Sequence, residues 1–332
     1  REPGATSPAS RVPSHSRSAF PPPDQALPRG TEGRMRVATT ILMDGTIFAA
    51  VLFLISVGLT LVFGVLRILN VAHGGIYAFG AYLATYLALW LLDLGANPYF
   101  TYAMLLAGAI IVGVIAGPLI ERVFLTRVYG RAEAIQLLLT FSIFLILDDL
   151  MKLIWGTKPM FISQPYTLLG EFSLAGILYS WYQVVLIVVS VLFGGALVWA
   201  VRGTRFGKIV VSVINDREVS QAIGINVNRI YTVSFTLGAF CAALGGALIA
   251  PTISVTPGFA VDATVLAFAV IAIGGMGSLE GAALGALIVG LLRATAVHLL
   301  PEADLVVIYF AMIVVLVVRP QGLFGGIEVR RI

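Results

Sequence analysis

The sequence predicts an all-α fold, a polytopic transmembrane helical bundle of about eight to ten spans, and three observations carry that expectation. Hydrophobic residues make up 59% of the 332-residue chain and charged residues only 11%, with a mean hydropathy of +0.98, whereas a typical soluble domain is about 25% charged. The apolar residues come in runs of roughly 20, the length that crosses a hydrocarbon core about 30 Å thick. Small residues dominate several of these runs, and Gly113-x-x-x-Gly117 and Gly281-x-x-x-Gly285 have the spacing that lets helix backbones approach closely. A water-exposed surface cannot be built from this inventory.

Residues 1–36 differ in kind from the rest of the chain. The stretch REPGATSPASRVPSHSRSAFPPPDQALPRGTEGRMR is rich in Pro, Ser, Gly and Arg and has no apolar period, so a disordered tail is expected. It lacks the apolar core of about 7 to 15 residues that a secretory signal needs. Met35 stands just before the first apolar run and is a plausible start, so the tail reads as foreign to the natural product, with a regulatory or targeting role as the alternative.

Residues 37–325 form the membrane domain. Its apolar runs fall near 45–66, 72–92, 99–120, 134–154, 181–201, 230–251, 263–276, 281–300 and 303–318. The seventh is short for a span and is ended by Gly274, Gly275 and Gly277, so a re-entrant or broken helix is the alternative there. Arg122, Arg127 and Arg131, then Arg202, Arg205, Lys208, Arg217 and Arg229, then Arg319, Arg330 and Arg331 mark the cytoplasmic loops and a cytoplasmic C-terminal tail, 326–332. The connections at 93–98, 155–180 and 251–262 hold only Lys158 and fall on the other side. Nine spans put the N-terminus outside, which the Arg-rich tail opposes, so either the tail is foreign or the count is off by one. The net charge of +4 therefore reports topology and implies no nucleic-acid partner.

No enzyme site assembles from these residues. His15, His73 and His298 stand without a neighbouring Cys, His or carboxylate, so no metal is implied, and the single Cys241 excludes an intrachain disulfide. The nearest approach to a phosphate loop, GTRFGKI from Gly203, has the wrong spacing and Ile after the lysine. No cofactor is expected, and the chain does not hydrolyse nucleotide by itself. Asp148 and Lys152 are four apart near the outer end of the fourth run, which favours an interfacial pair on one helix face over a proton relay. Arg293 falls in the outer half of the eighth run, where it is expected to snorkel; a place at the extracellular mouth is the alternative.

The loop 202–229, RGTRFGKIVVSVINDREVSQAIGINVNR, carries internal design. Asn215 is placed to cap a helix whose third residue is Glu218, a capping box, and Gly224 is placed to close it. The helix, Asp216 to Ile223, is about two turns long and too short to stand alone. Val219, Ala222 and Ile223 share one face, which must lie on lipid, on the bundle itself or in a partner groove.

Three stretches then carry a likeness. GLTLVFGVLRILNVAHGGIYAFGAY (58–82), RGTRFGK followed by DREVSQAIGIN (216–226), and AFAVIAIGGMGSLEGAALGALIVG (267–290) resemble the membrane permeases of branched-chain amino acid ABC importers, the H-type subunit most of all. The closing RPQGLFG (319–325) is similar to the end of that family, so the likeness runs from about Gly45 to Gly325. It implies a fold like the permease subunits of vitamin- and sugar-type (type II-like) importers, in a bacterial inner membrane. It also implies the partners: a second homologous permease, two cytoplasmic ABC ATPases, an extracytoplasmic solute-binding protein that delivers leucine, isoleucine or valine, and membrane lipid.

The helix from Asp216 would match the coupling helix that docks on the ATPase, with Asn215, Asp216, Glu218, Val219, Ala222, Ile223, Gly224, Ile225 and Asn226 as the coupling residues. Asn70 and His73 in NVAHGG match the family's NFAHG, which suggests a structural or gating role on the cytoplasmic side as hydrogen bonders at the start of a helix. Gly274, Gly275 and Gly277 are carried over as gating or pathway positions. Acidic residues are common in the family near the position that is Arg293 here. Related permeases for urea, short amides and other amino acids share these motifs and remain open, as does an ion-gradient-driven secondary transporter built on Asp148 and Asp149. The pathway is expected to show only Gly, Ala and aliphatic side chains, letting a small zwitterion slip through without holding it.

Overall fold

The structure is a computed structural model, and it describes residues 31–325. Twelve α-helices follow one another: α1 (Thr31–Leu66), α2 (Ala72–Asp93), α3 (Thr101–Val123), α4 (Glu133–Trp155), α5 (Gln164–Thr167), α6 (Trp181–Gly203), α7 (Arg205–Asn215), α8 (Arg217–Ala222), α9 (Val227–Ile249), α10 (Ala260–Gly274), α11 (Leu279–Leu299) and α12 (Asp304–Val318). Between α5 and α6 an antiparallel hairpin pairs β1 (Glu171–Leu174) with β2 (Ile177–Ser180). The fold is all-α apart from this hairpin, and every apolar run read from the sequence is a helix.

Seven of these stretches are long and apolar enough to cross a membrane: Gly33–Leu66, Ala72–Asp93, Pro98–Arg127, Trp181–Gly203, Val227–Thr252, Leu279–Leu299 and Pro301–Val318. α4 has a span's length, 23 residues, but carries Asp148, Asp149 and Lys152 toward its end. α10 has only 15 residues, too few for about 30 Å of hydrocarbon at roughly 1.5 Å each. At the other boundary α1 begins at Thr31, so residues 31–36 continue the first helix instead of belonging to a tail. Residues 1–30 and the tail 326–332 lie outside the described residues.

α1, α2 and α9 form the centre, as the most deeply buried of the membrane-length helices. Small residues set how closely they pack. A Cβ on Gly58 would lie 2.7 Å from the Gly238 carbonyl, locking α1 to α9, and a Cβ on Gly80 or Gly246 would strike the facing backbone across the α2–α9 seam. Gly113 and Gly117 meet the Phe240 and Thr236 backbone, and Gly281 and Gly285 meet that of Gly274 and Val270. Both small-residue pairs are therefore packing seams, as their spacing implies. Lipid supplies no hydrophobic drive between helices, so close van der Waals contact of this kind has to hold them.

Polar ties fix the connections. Ser180 and Gln183 make a reciprocal capping box at the start of α6, and Tyr182 Oη donates to the Leu248 carbonyl at 2.7 Å, joining α6 to α9. At the end of α4, Asp148 accepts from the Gly258 amide at 3.1 Å and pairs with Lys152 at 2.6 Å. Met160 and Val255 bridge the same end of the bundle, at 3.0 and 2.8 Å.

Candidate functional site

The loop between α6 and α9 holds two helices. Thr204 caps α7 through the Gly207 amide, and Phe206, Val210 and Val213 turn its apolar side inward. After it the chain breaks at Asp216, whose carboxylate accepts from the Val219 amide at 3.0 Å. Asp216 is thus the N-cap of α8, and Asn215 is the last residue of α7. The expected capping box moves on by one residue and loses its reciprocal half, because Asn215 is held in the preceding helix.

The other end closes as its sequence implies. Gly224 takes φ 91°, and the amides of Gly224 and Ile225 bond back to Gln221 and Ser220, the left-handed stop that glycine adopts without a Cβ penalty. Asn226 then caps α9 through the Arg229 amide at 3.1 Å. Within α8, Ser220 is buried while Glu218, Val219, Ala222 and Ile223 are exposed, Ile223 to 70%. The apolar face is bare.

A network runs from the exposed Arg217 of α8 to buried groups in the bundle. The Arg217 guanidinium lies 5.6 Å from the Tyr231 ring centroid, and Tyr231 packs edge-on against Tyr129 at 5.2 Å. Tyr129 Oη donates to Glu121 at 2.6 Å, and Thr232 donates to the second oxygen of Glu121 at 2.7 Å. Glu121 is fully buried and ties α3 to α9. Burial first, and the bond to Glu121 second, raise the Tyr129 phenol well above its ordinary value. Glu121 does not stand out in the sequence because its partner lies 111 residues away, although a carboxylate inside an apolar run is itself a signal that a partner exists.

Gly274, Gly275 and Gly277 make the turn from α10 to α11. Gly275 and Gly277 take φ 108° and 83°, and Gly274 packs on the backbone of Gly281. The chain's closing segment comes back to this turn: the amides of Leu323 and Phe324 donate to the carbonyls of Ile273 and Gly274, both at 2.9 Å. A Cβ on Gly275 would strike Gly325. The three glycines are the docking place of residues 319–325.

Asn70 and His73 lie deeper than expected. α1 ends at Leu66, Arg67 takes φ 56°, and residues 67–71 run back up along the bundle. α2 therefore begins with His73 Nε2 3.0 Å from the carbonyl of Ile55, about two-thirds of the way along α1 rather than at its end. A carbonyl only accepts, so Nε2 carries the proton and Nδ1, which has no partner among the described residues, is bare. Asn70 is also fully buried, and neither side-chain atom has a partner among the described residues.

At the end of the bundle opposite α8 a cavity of about 480 Å³ opens between α1, α2, α10 and α11. Its walls include Phe48, Leu52, Ile55, Phe259, Leu266 and Val297, and Asp44, Asp262, Arg293 and His298 line it together with Tyr77. Arg293 Nε donates to Asp304 at 3.2 Å, and the guanidinium lies 4.2 Å from the Phe48 centroid. Its place is in the cavity wall rather than snorkelling away. His298 Nε2 is 2.8 Å from Asp44, so this histidine has a carboxylate partner, 254 residues distant in sequence. This cavity is apolar with charged groups set into it. Among the described residues no group of three or more His, Cys, Asp or Glu is arranged to hold a metal.

A bundle of membrane-length helices with a polar-studded cavity at one end and a bare-faced short helix at the other has the build of a multi-pass membrane transport protein. The chain belongs to the branched-chain amino acid transport system / permease component family, whose model matches residues 41–316. It is 30% identical over 301 residues to the high-affinity branched-chain amino acid transport system permease protein BraD of Pseudomonas aeruginosa, covering 88% of this chain and 97% of that one. It is 28% identical to LivH of Escherichia coli strain K12, which bears the same description, over 88% and 96%. A shorter match, 36% over 111 residues and 31% of each chain, is to the fructose import permease protein FrcC of Rhizobium meliloti. Among solved structures, PsaBC from Streptococcus pneumoniae in complex with Fab aligns with a TM-score of 0.45 at 14% identity, over 85% of this chain and 92% of that one.

Proposed function

We propose that the chain is the membrane permease subunit of an ABC importer that carries small amino acids, of the leucine, isoleucine and valine class, into the cytoplasm. Separate ATPase subunits supply the energy. One observation carries this reading: α8 is capped at both ends by Asp216 and Gly224, is anchored by Ser220 and Arg217, and leaves Val219, Ala222 and Ile223 uncovered. Burying Val219 and Ile223 in a partner cleft would contribute roughly 1.5 to 3 kcal/mol each. In this reading α8 lies on the cytoplasmic side and docks on one of two ATPases, with a second permease alongside in the lipid and an extracytoplasmic binding protein over the cavity end. Closure of the ATPase dimer pushes α8, and the Arg217–Tyr231–Tyr129–Glu121 network passes the displacement to α3 and α9.

The names of the relatives support the amino-acid class over urea or short amides. Asp148 is taken up by Lys152 and the Gly258 amide, which leaves an ion-driven secondary transporter without a free acid at that point. The test is Ile223→Glu in the purified, reconstituted complex. The expected result is an intact permease with substrate-stimulated ATP hydrolysis and leucine uptake both lost; wild-type values of both would refute docking through this face.

A further inference from the structure

The charged groups around the far-end cavity differ in how they are engaged. Asp44 and His298 satisfy each other. Arg293 is held on one side only: Nε is on Asp304 and the plane lies over Phe48, while its two Nη nitrogens have no hydrogen-bond partner among the described residues. Asp262, in the first turn of α10, has no ion pair or side-chain hydrogen bond among the described residues. One fixed cation and one free carboxylate thus line the same space, and the rest of the wall is aliphatic and aromatic.

From this arrangement we infer that the cavity is a binding site for a free aliphatic α-amino acid, with Arg293 holding its carboxylate, Asp262 its ammonium group, and Phe48, Leu52 and Leu266 its side chain. The inference rests on the proposed amino-acid import and adds a site in the membrane subunit itself. The volume of about 480 Å³ lies in the range of small-molecule sites, roughly 300 to 1,000 Å³. The guanidinium is pre-set by Asp304 and Phe48, so little rotamer freedom is lost when it receives a carboxylate. A ligand with only one of the two charges would forgo either the Arg293 Nη contacts or the contact with Asp262, which stands exposed beside the cavity; this favours a zwitterion over an amide, an amine or a fatty acid.

Val297 lines the cavity and is 44% exposed, whereas the only native cysteine, Cys241, is buried. A Val297→Cys permease, assembled in its complete complex in proteoliposomes, can therefore be labelled with a maleimide while leucine, 4-methylpentanoate, 3-methylbutylamine or urea competes. Leucine is expected to slow labelling, and the other three to need at least about tenfold higher concentration, a difference of roughly 1.4 kcal/mol. Adding Asp262→Asn should raise the half-protecting leucine concentration at least about fivefold and leave 4-methylpentanoate unchanged. Asp262 has no structural partner among the described residues, so this variant is expected to fold even where Arg293→Gln does not. If leucine is taken up by the complex yet gives no protection, or if Asp262→Asn protects like the parent, the site is wrong and the import reading stands. If leucine is neither taken up nor protective, both fail.

Discussion

His73 Nε2 meets the carbonyl oxygen of Ile55 at 3.0 Å. Ile55 lies 11 residues before Leu66, the end of α1, which is roughly 16 Å of helix, so the first turn of α2 starts deep inside the bundle. The amides of His73 and Gly74 bond back to the carbonyls of Asn70 and Val71, both at 3.3 Å, while the bare side chain of Asn70 is held there away from water. His73→Leu should lower the melting temperature of the purified permease, corresponding to loss of about 1 to 2 kcal/mol. Asn70→Leu should be neutral or stabilising in the same assay, because an orphaned buried amide costs more than an apolar group of similar size. A clear destabilisation by Asn70→Leu would mean that the amide has a partner.

The seam between α2 and α9 gives a sharper test of packing. Gly80 faces the Ala243 backbone with no room for a Cβ, whereas Gly195 on α6 has nothing within 4 Å. Gly80→Val is expected to abolish the monodisperse peak of a fluorescent fusion on size-exclusion chromatography. Gly195→Val should leave that peak within about a fifth of the parent, since small-to-large changes cost about 1 to 3 kcal/mol only where packing is already tight.

Gly224 has space around it but a backbone that L side chains rarely adopt, φ 91°. Gly224→Ala should therefore cost about 1 kcal/mol or slightly more, localised to the end of α8. The expected readout is faster amide hydrogen exchange in residues 217–224 with unchanged protection in α9. Uniform loss of protection across the bundle would show that α8 is not a local unit.

The Tyr129–Glu121 bond sets a dependence on alkaline pH. Burial and Glu121 hold the folded-state phenol above its ordinary value, while in the unfolded chain it ionises near pH 10. Its contribution is therefore complete below about pH 10 and is lost as pH rises beyond that. Tyr129→Phe should be less stable than the parent at pH 8 by about 1 to 3 kcal/mol, since it removes a donor to a buried carboxylate. The gap should narrow above pH 10. A constant gap from pH 8 to 11 would contradict the assignment.

The elements most legible in the sequence are those whose signals are local. Gly224 announces a left-handed stop, Gly274, Gly275 and Gly277 announce the end of a short apolar helix, and both are where the structure has them. α7 is also written locally, in Phe206, Val210 and Val213 at helical spacing, but the flanking Arg and Gly residues make RGTRFGK read as loop. The β1–β2 hairpin is hidden for a similar reason. Ala175 and Gly176, at φ 53° and 78°, form a two-residue turn inside a connection whose charges alone point to a side of the membrane. The depth of Asn70, the Asp44–His298 pair and the meeting of Glu121 with Thr232 depend on how distant helices stack. Composition and spacing contain no term for that.

The bonds from Leu323 and Phe324 to Ile273 and Gly274 impose an order on biosynthesis. When α10 leaves the ribosome its last carbonyls are uncapped and its 15 residues are too few to settle across a bilayer alone. Those two carbonyls gain these partners only after α11 and α12 have been made and residues 319–325 follow. A truncation that removes only those residues would spare every membrane-length helix, yet leave the last two carbonyls of this short one without these partners.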